Sequence, residues 1–386
     1  MSRSLPRRWS LDHNPLSGLT LSRWWKLLRE NRFDIDLAYA HRAMFVTCMS
    51  VFNSLCHTVE RLRFAGALRQ VEVRADPIFI LGHWRSGTTH LHNLLTLDDR
   101  LTSPTTYQVV NPFSFMSTQR VLPAVLKPLL PNRRPMDNMA MGFDLPQEDE
   151  LALSLLSGLS PYLALSFPRR ASHYERYLSF ADATAEEAAA WKAAFVEFVR
   201  KLSLGEGRRL IFKSPPHTAR IRLLLELFPE ARFVHVHRDP YTVFQSSKHY
   251  LETAGWQANL QAQDPATFDD AILHRYDVLH EAYLQQRDLI APGRLHELSY
   301  ASLDEDPLGS MRKLYAALDL DPFEHVELRM QEYLQSIAGY RRNEHPKLDE
   351  DQRRRIASAW GRYFDAFGYA TGFESTSLAD PLREGC

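Results

Sequence analysis

Residues Pro77–Leu95 read PIFILGHWRSGTTHLHNLL. Pro77–Gly82 is a short apolar run closed by a glycine, the pattern of a strand buried on both faces of a parallel sheet. Leu91, Leu94 and Leu95 then recur at helical spacing, so strand, glycine loop and helix follow one another without a gap. Between them, Gly82–Thr89 places small and hydroxyl residues where backbone amides can approach an anion at the opening of a helix. The loop has both glycines and the final Thr of GxxxxGK[ST], but Thr88 stands where a nucleotide-hydrolysing loop carries its lysine.

Working outward, the same unit recurs. RLIFK (Arg209–Lys213) predicts a strand ahead of a helix over Thr218–Phe228, and RFVHVH (Arg232–His237) predicts another. Asp239 suits the N-cap and Pro240 the first position of the helix that follows. RLHELSY (Arg294–Tyr300) reads as a further strand and Met311–Leu318 as a further helix. Thr184 and Glu187 form a capping box for an alanine-rich helix that Gly205 would end. Strands alternating with helices imply an α/β fold, a parallel sheet flanked by helices with right-handed crossovers. The expected organisation is a helical N-terminal extension over 1–70, one main domain over 71–373 with an irregular insertion at 101–180, and a flexible tail over 374–386.

Ligands of open parallel sheets bind beyond the carboxyl ends of the strands. Here that edge is basic: the first strand runs into Arg85, the second ends at Lys213 and the third at Arg238. One such cation would be an ordinary surface residue. Three on one edge predict an anion site.

At these residues the chain resembles the sulfotransferase superfamily. WRSGTT (Trp84–Thr89) is similar to the family's 5'-phosphosulfate loop, and FVHVHRDPYTVFQSS (Phe233–Ser247) to its 3'-phosphate segment, in which an Arg at a strand end and a Ser eight residues on grip the phosphate. Arg238 and Ser246 have that spacing. SYASLDEDP (Ser299–Pro307) resembles a segment whose tyrosine, here Tyr300, contacts the nucleotide. YRRNEH (Tyr340–His345) lies where the family keeps a basic loop against the 3'-phosphate, pointing to Arg341 and Arg342. The resemblance implies the nucleotide-kinase-like sulfotransferase fold and 3'-phosphoadenosine 5'-phosphosulfate (PAPS) as co-substrate, with no metal. It further implies that Arg85, Lys213 and the loop residues Ser86, Gly87, Thr88 and Thr89 hold the phosphosulfate.

The catalytic base is left open between two positions. Many family members carry a histidine two residues after the second strand's lysine, where this chain has Pro215; His217 is the nearest substitute. The alternative is Glu148 in PQEDE (Pro146–Glu150), similar to an acidic segment of bacterial relatives. Phe113, Phe115, Met116, Met136, Met139, Met141, Phe143 and Tyr162 crowd the insertion, which suits either a core or a lipophilic acceptor pocket. The acceptor is expected to be a small molecule, lipid or glycan bearing a hydroxyl or amine. The competing readings are a nucleotide kinase or ATPase, disfavoured by Thr88, and a catalytically silent nucleotide-binding protein, disfavoured by the intact Arg85, Lys213, Arg238 and Ser246.

Composition narrows the partners. Over 386 residues, 46 Lys and Arg nearly cancel 47 Asp and Glu, so no nucleic-acid partner is expected and any anion site must be local. Cys48 and Cys56 sit roughly 12 Å apart along one helix, too far to bridge, and are expected as small buried side chains. Three cysteines without a CxxC pair fit a reducing compartment. The basic start MSRSLPRR is followed by Asp12, Asn14 and Pro15 instead of an apolar run, so a cytoplasmic location is the expectation. Met44–Val51 is too short and interrupted to span a bilayer. It is expected as a core helix, with peripheral contact on the inner face of a membrane, beside Trp24, Trp25 and Lys26, as the alternative.

Overall fold

The computed structural model describes residues 14–126, 142–339 and 346–373. Its centre is a parallel sheet of five strands: β1 (Ile78–Leu81), β2 (Leu101–Thr102), β3 (Arg209–Lys213), β4 (Arg232–His237) and β5 (Leu295–Ser299), in the order β2-β3-β1-β4-β5. β1 is buried at every position, which is why its sequence is a continuous apolar run. Phe79 pairs in register with Phe212 and Phe233, and the three rings stack across the strands with centroids 5.5 and 5.6 Å apart. That aromatic row anchors one core. On the other face Ile78, Ile80, Ile211 and Val234 pack with Leu91, Leu94 and Leu95 of helix α3 (Thr88–Leu95), the third after two N-terminal ones.

Register also sets the working edge. Ile80 pairs with Lys213 and Leu81 with His235, so β1, β3 and β4 end side by side. β1 leads outward to β2 and β4 leads the opposite way to β5, so the order reverses between β1 and β4 and opens a crevice there.

The two N-terminal helices are α1 (Leu21–Glu30) and α2 (Ala40–Arg69). α2 is fastened by polar side chains. Buried Glu60 takes the Lys201 ammonium at 2.9 Å and accepts from the Ser117 amide at 3.2 Å. Arg42 donates to the carbonyls of Trp256 and Asn259, and Asn53 to those of Ser17 and Leu19. Cys48, expected inside, is exposed, and Cys56 is half-buried: the inward positions of α2 are held by Arg42, Val46, Ser50, Asn53 and Glu60 instead. Among the described residues no helix is long and apolar enough to cross a membrane.

Residues 101–180, irregular in sequence, hold the edge strand β2 and several short helices, among them Glu150–Ser157. The helix Ala185–Ser203 has its Thr184–Glu187 capping box, and Asp239 caps the helix Pro240–Thr253 through the Thr242 amide. The helix expected from Thr218 starts later, at Ile221, because Pro215–Ala219 forms a 3-10 turn.

Candidate active site

The loop after β1 is shaped by three residues in the left-handed region. Gly82 has φ +139°, and its amide donates to Thr218 Oγ1 at 2.7 Å; a Cβ there would stand 2.5 Å from the Val236 carbonyl oxygen. Gly87 has φ +98° and caps α3, with the Tyr300 ring so close that a Cβ would fall 2.0 Å from it. Arg85 adopts φ +70° without being glycine, a strain of order 1–2 kcal/mol that only surrounding contacts can sustain.

Those contacts come from the other expected residues. Arg85 Nε donates to Ser246 Oγ at 3.0 Å, and Arg238 Nη1 donates to the Arg85 carbonyl at 3.1 Å. The Arg238 guanidinium lies over the Tyr300 ring, 4.6 Å from its centroid. Arg85, Arg238, Ser246 and Tyr300, widely separated in sequence, thus meet at the β1–β4 crevice. Ser86 Oγ is buried in the same loop with no hydrogen-bond partner, and the leading amides of α3 have no acceptor within their own helix. A cradle of amides, a spare hydroxyl and two guanidinium groups fits a phosphorylated ligand. Arg341 and Arg342 lie outside the described residues.

Lys213, at the end of β3, is nearly inaccessible. Its Nζ lies 2.6 Å from Glu148 Oε1 and 3.5 Å from Thr89 Oγ1. The second carboxylate oxygen, Oε2, accepts from the Tyr162 hydroxyl, which in turn accepts from Trp84 Nε1 at 3.1 Å. Burial, and then the adjacent Glu148 charge, push the Tyr162 hydroxyl well above the usual tyrosine range, so it stays protonated and donating. Tyr162 stood in the sequence only as one aromatic of a crowded stretch, and the donor role of Trp84 had no sequence signal.

His217 does not sit with this group. Its ring has no exposed surface, stacks on Phe195 at 5.5 Å and meets the edges of Phe79 and Trp191. Nε2 contacts Asp149 Oδ2 at 2.6 Å. Pro215 and Pro216 turn the chain inward, and the imidazole is buried among these rings with its Nδ1 unbonded. Arg220, one 3-10 turn on, is equally buried and holds Glu150 at 2.7 Å. Each of the three consecutive acids 148–150 therefore has its own basic partner between 213 and 220.

The insertion's aromatics divide. Phe113 and Phe115 are core residues, Met116 and Phe143 pack against that core, and Met136, Met139 and Met141 lie outside the described residues. Among the described residues, one group has metal-ligating atoms close together, Asp98, Asp99 and His325. It lies at the amino end of β2, on the opposite edge of the sheet, and its carboxylates are taken by Arg100, Tyr315 and Arg329.

Comparison with known proteins identifies the family. A family model described as "Sulfotransferase family" matches residues 77–325. Omega-hydroxy-beta-dihydromenaquinone-9 sulfotransferase Stf3 of Mycobacterium bovis is 36% identical over 369 residues, 95% of each chain. The crystal structures of sulfotransferase STF1 from Mycobacterium tuberculosis and STF9 from Mycobacterium avium superpose with TM-scores of 0.63 and 0.64 at 18% and 17% identity. The first covers 90% of this chain and 94% of its own, the second 92% and 97%. At those identities the structural likeness speaks for the fold.

Proposed function

This chain belongs to the sulfotransferase family, and we propose that it transfers a sulfuryl group from PAPS to a hydroxyl of a lipophilic acceptor with Glu148 as the base. The observation that carries the base assignment is the Glu148 carboxylate, one oxygen on Lys213 and the other on Tyr162, beside the loop after β1. The relative that acts on a hydroxylated menaquinone supports the lipophilic acceptor.

In this reading Arg85, Lys213 and the loop from Ser86 through Gly87 and Thr88 to Thr89 grip the phosphosulfate. Arg238 and Ser246, with Arg341 and Arg342, take the 3'-phosphate, while Tyr300 flanks the nucleotide. The acceptor oxygen attacks sulfur in line, its proton passes to Glu148, and the bond from sulfur to the 5'-phosphate oxygen breaks. The products are a sulfate ester and adenosine 3',5'-bisphosphate. Proton arrival on Glu148 weakens its hold on Lys213 just as negative charge grows on the departing phosphate. The freed ammonium can then meet that charge, so proton transfer and leaving-group stabilisation are coupled. The residues do this by position and charge, and the scheme needs no metal.

The test is thermal stabilisation by adenosine 3',5'-bisphosphate against ATP with magnesium, followed by transfer assays on a long-chain lipid alcohol and a sugar. Preference for the bisphosphate, lost in Arg238→Ala, and turnover of the lipid alcohol alone are expected. Preference for ATP would overturn the donor site; equal turnover of the sugar would overturn the acceptor class.

A further inference from the structure

α2 turns polar side chains inward and leaves a row of apolar ones outside. Of its five buried positions only Val46 is apolar; Arg42, Ser50, Asn53 and Glu60 are polar and individually bonded. Met44, Val51, Leu55, Val59 and Leu62 are exposed, Leu55 at 65% and Leu62 at 84%. Their spacing of seven, four, four and three residues keeps them on one side of the helix, over roughly 27 Å of its length. Trp25 and Phe33 beside α1, in edge contact at 5.2 Å, and Leu37 ahead of α2 add further exposed apolar surface. Between α1 and α2 lies an open groove of about 700 Å³ that Leu21, Trp25 and His57 line together with the hydroxyl residues Thr20, Ser22, Ser54 and Thr58.

Charge selects the occupant. Over residues 40–69 the exposed charges are Arg61, Arg63 and Arg69; the stretch's one carboxylate, Glu60, is buried on Lys201. A second copy meeting this face with its own α2 would bring apolar residues but no acid for the arginines. An anionic lipid surface supplies both the hydrocarbon and the phosphates. We propose that α2, with Trp25 and Phe33, docks this protein on an anionic membrane surface, lying in the interface without crossing it. The inference rests on the lipophilic-acceptor reading, since such an acceptor would be met in a membrane. α2 is also tied to the segment leading to Glu148, through the contact of His57 Nδ1 with the Phe113 carbonyl at 3.0 Å and through Glu60 on the Ser117 amide.

The experiment is co-sedimentation of the full chain with vesicles of phosphatidylcholine alone or mixed equally with phosphatidylglycerol, without donor or acceptor present. The wild type and the double variant Leu55→Asp, Leu62→Asp are compared, with sedimentation velocity giving the oligomeric state of each. Both positions are exposed, so the melting temperature should be unchanged and the turnover of a detergent-dispersed lipid alcohol should stay within about twofold of wild type. Expected are binding to the anionic vesicles at least tenfold tighter than to the neutral ones, and a loss of at least tenfold in the variant. No binding to anionic vesicles overturns the proposal, as does a dimer that the double variant dissociates without any vesicle binding. Failure to sulfate any dispersed lipid alcohol would strike the acceptor reading instead, because vesicle binding is measured without turnover.

Discussion

Glu148 Oε1 lies 2.6 Å from Lys213 Nζ, so the proposed base and the cation proposed to meet the leaving phosphate form one ion pair. Glu148→Gln keeps the shape and removes the proton acceptor. Turnover should fall by about 10²–10⁴-fold, with the dissociation constant for adenosine 3',5'-bisphosphate changed only a few-fold. Single-turnover kinetics and calorimetry separate the two, and turnover within threefold of wild type would mean that another group takes the proton.

Arg238 supports the donor loop from beneath as well as facing the crevice, since it donates to the Arg85 carbonyl and stacks on Tyr300. Arg238→Ala should weaken bisphosphate binding by about 10–100-fold, the worth of a charge-assisted hydrogen bond. Ser246→Ala, which removes a neutral hydroxyl that also holds Arg85, should cost several-fold less. Titration calorimetry on both variants checks the ranking.

Gly87→Ala meets two obstacles, a positive φ and the Tyr300 ring. Bisphosphate binding should be lost, and opening the space with Tyr300→Ala should not restore it, because the left-handed backbone still costs about 1 kcal/mol and the stacking partner of Arg238 is gone. Recovery of binding in the double variant would show that crowding alone was the fault.

Arg220 and Glu150 are fully buried on one another, with Ser160 and the carbonyls of Tyr177 and Leu178 completing the set. Removing either charge strands the other, so Arg220→Met or Glu150→Leu should destabilise by about 3–5 kcal/mol, whereas the pair changed together should recover much of that. Urea unfolding of the two single variants and the double one gives the coupling.

Burial holds His83 down to about 4 and His280 down to about 3, and drives His235 well below its ordinary range. These rings are neutral in the native protein at pH values where the unfolded chain, near 6.5, already binds the proton. Stability should therefore be flat above about pH 6.5 and fall on acidification towards pH 4, by up to roughly 1.4 kcal/mol per pH unit for each ring. His280→Phe should flatten the dependence of the urea midpoint between pH 6 and 5; an unchanged slope would place the proton uptake elsewhere.

β1 was legible as a continuous apolar run and β3 and β4 as short stretches rich in Ile, Phe and Val ahead of helix signals, and their ends could be compared directly, which put Arg85, Lys213 and Arg238 on one edge. β2 was not, since a two-residue edge strand paired only to Arg209 and Leu210 has no periodicity to detect. The partners of Glu148, Asp149 and Glu150 lie 65 or more residues away, and nothing local distinguishes a buried acid from one capping a helix. The same limit hid the fate of His217. α2 misled in the opposite sense: apolar residues at helical spacing normally mark the inner face, and here long-range bonds from Arg42, Asn53 and Glu60 settle which side turns inward.

The ladder of 148–150 on 213–220 also constrains how this chain can change length. A one-residue slide of these acids would break the matching: in one direction Asp149 and Glu150 meet Lys213 and His217 and Arg220 is left without an acid, in the other Glu148 and Asp149 meet His217 and Arg220 and Lys213 is left with none. Between Thr106 and Leu126, by contrast, no such ladder ties the short helices to β3. Length variation among descendants of this chain should therefore collect upstream of Gln147 and be nearly absent from there to Ser157.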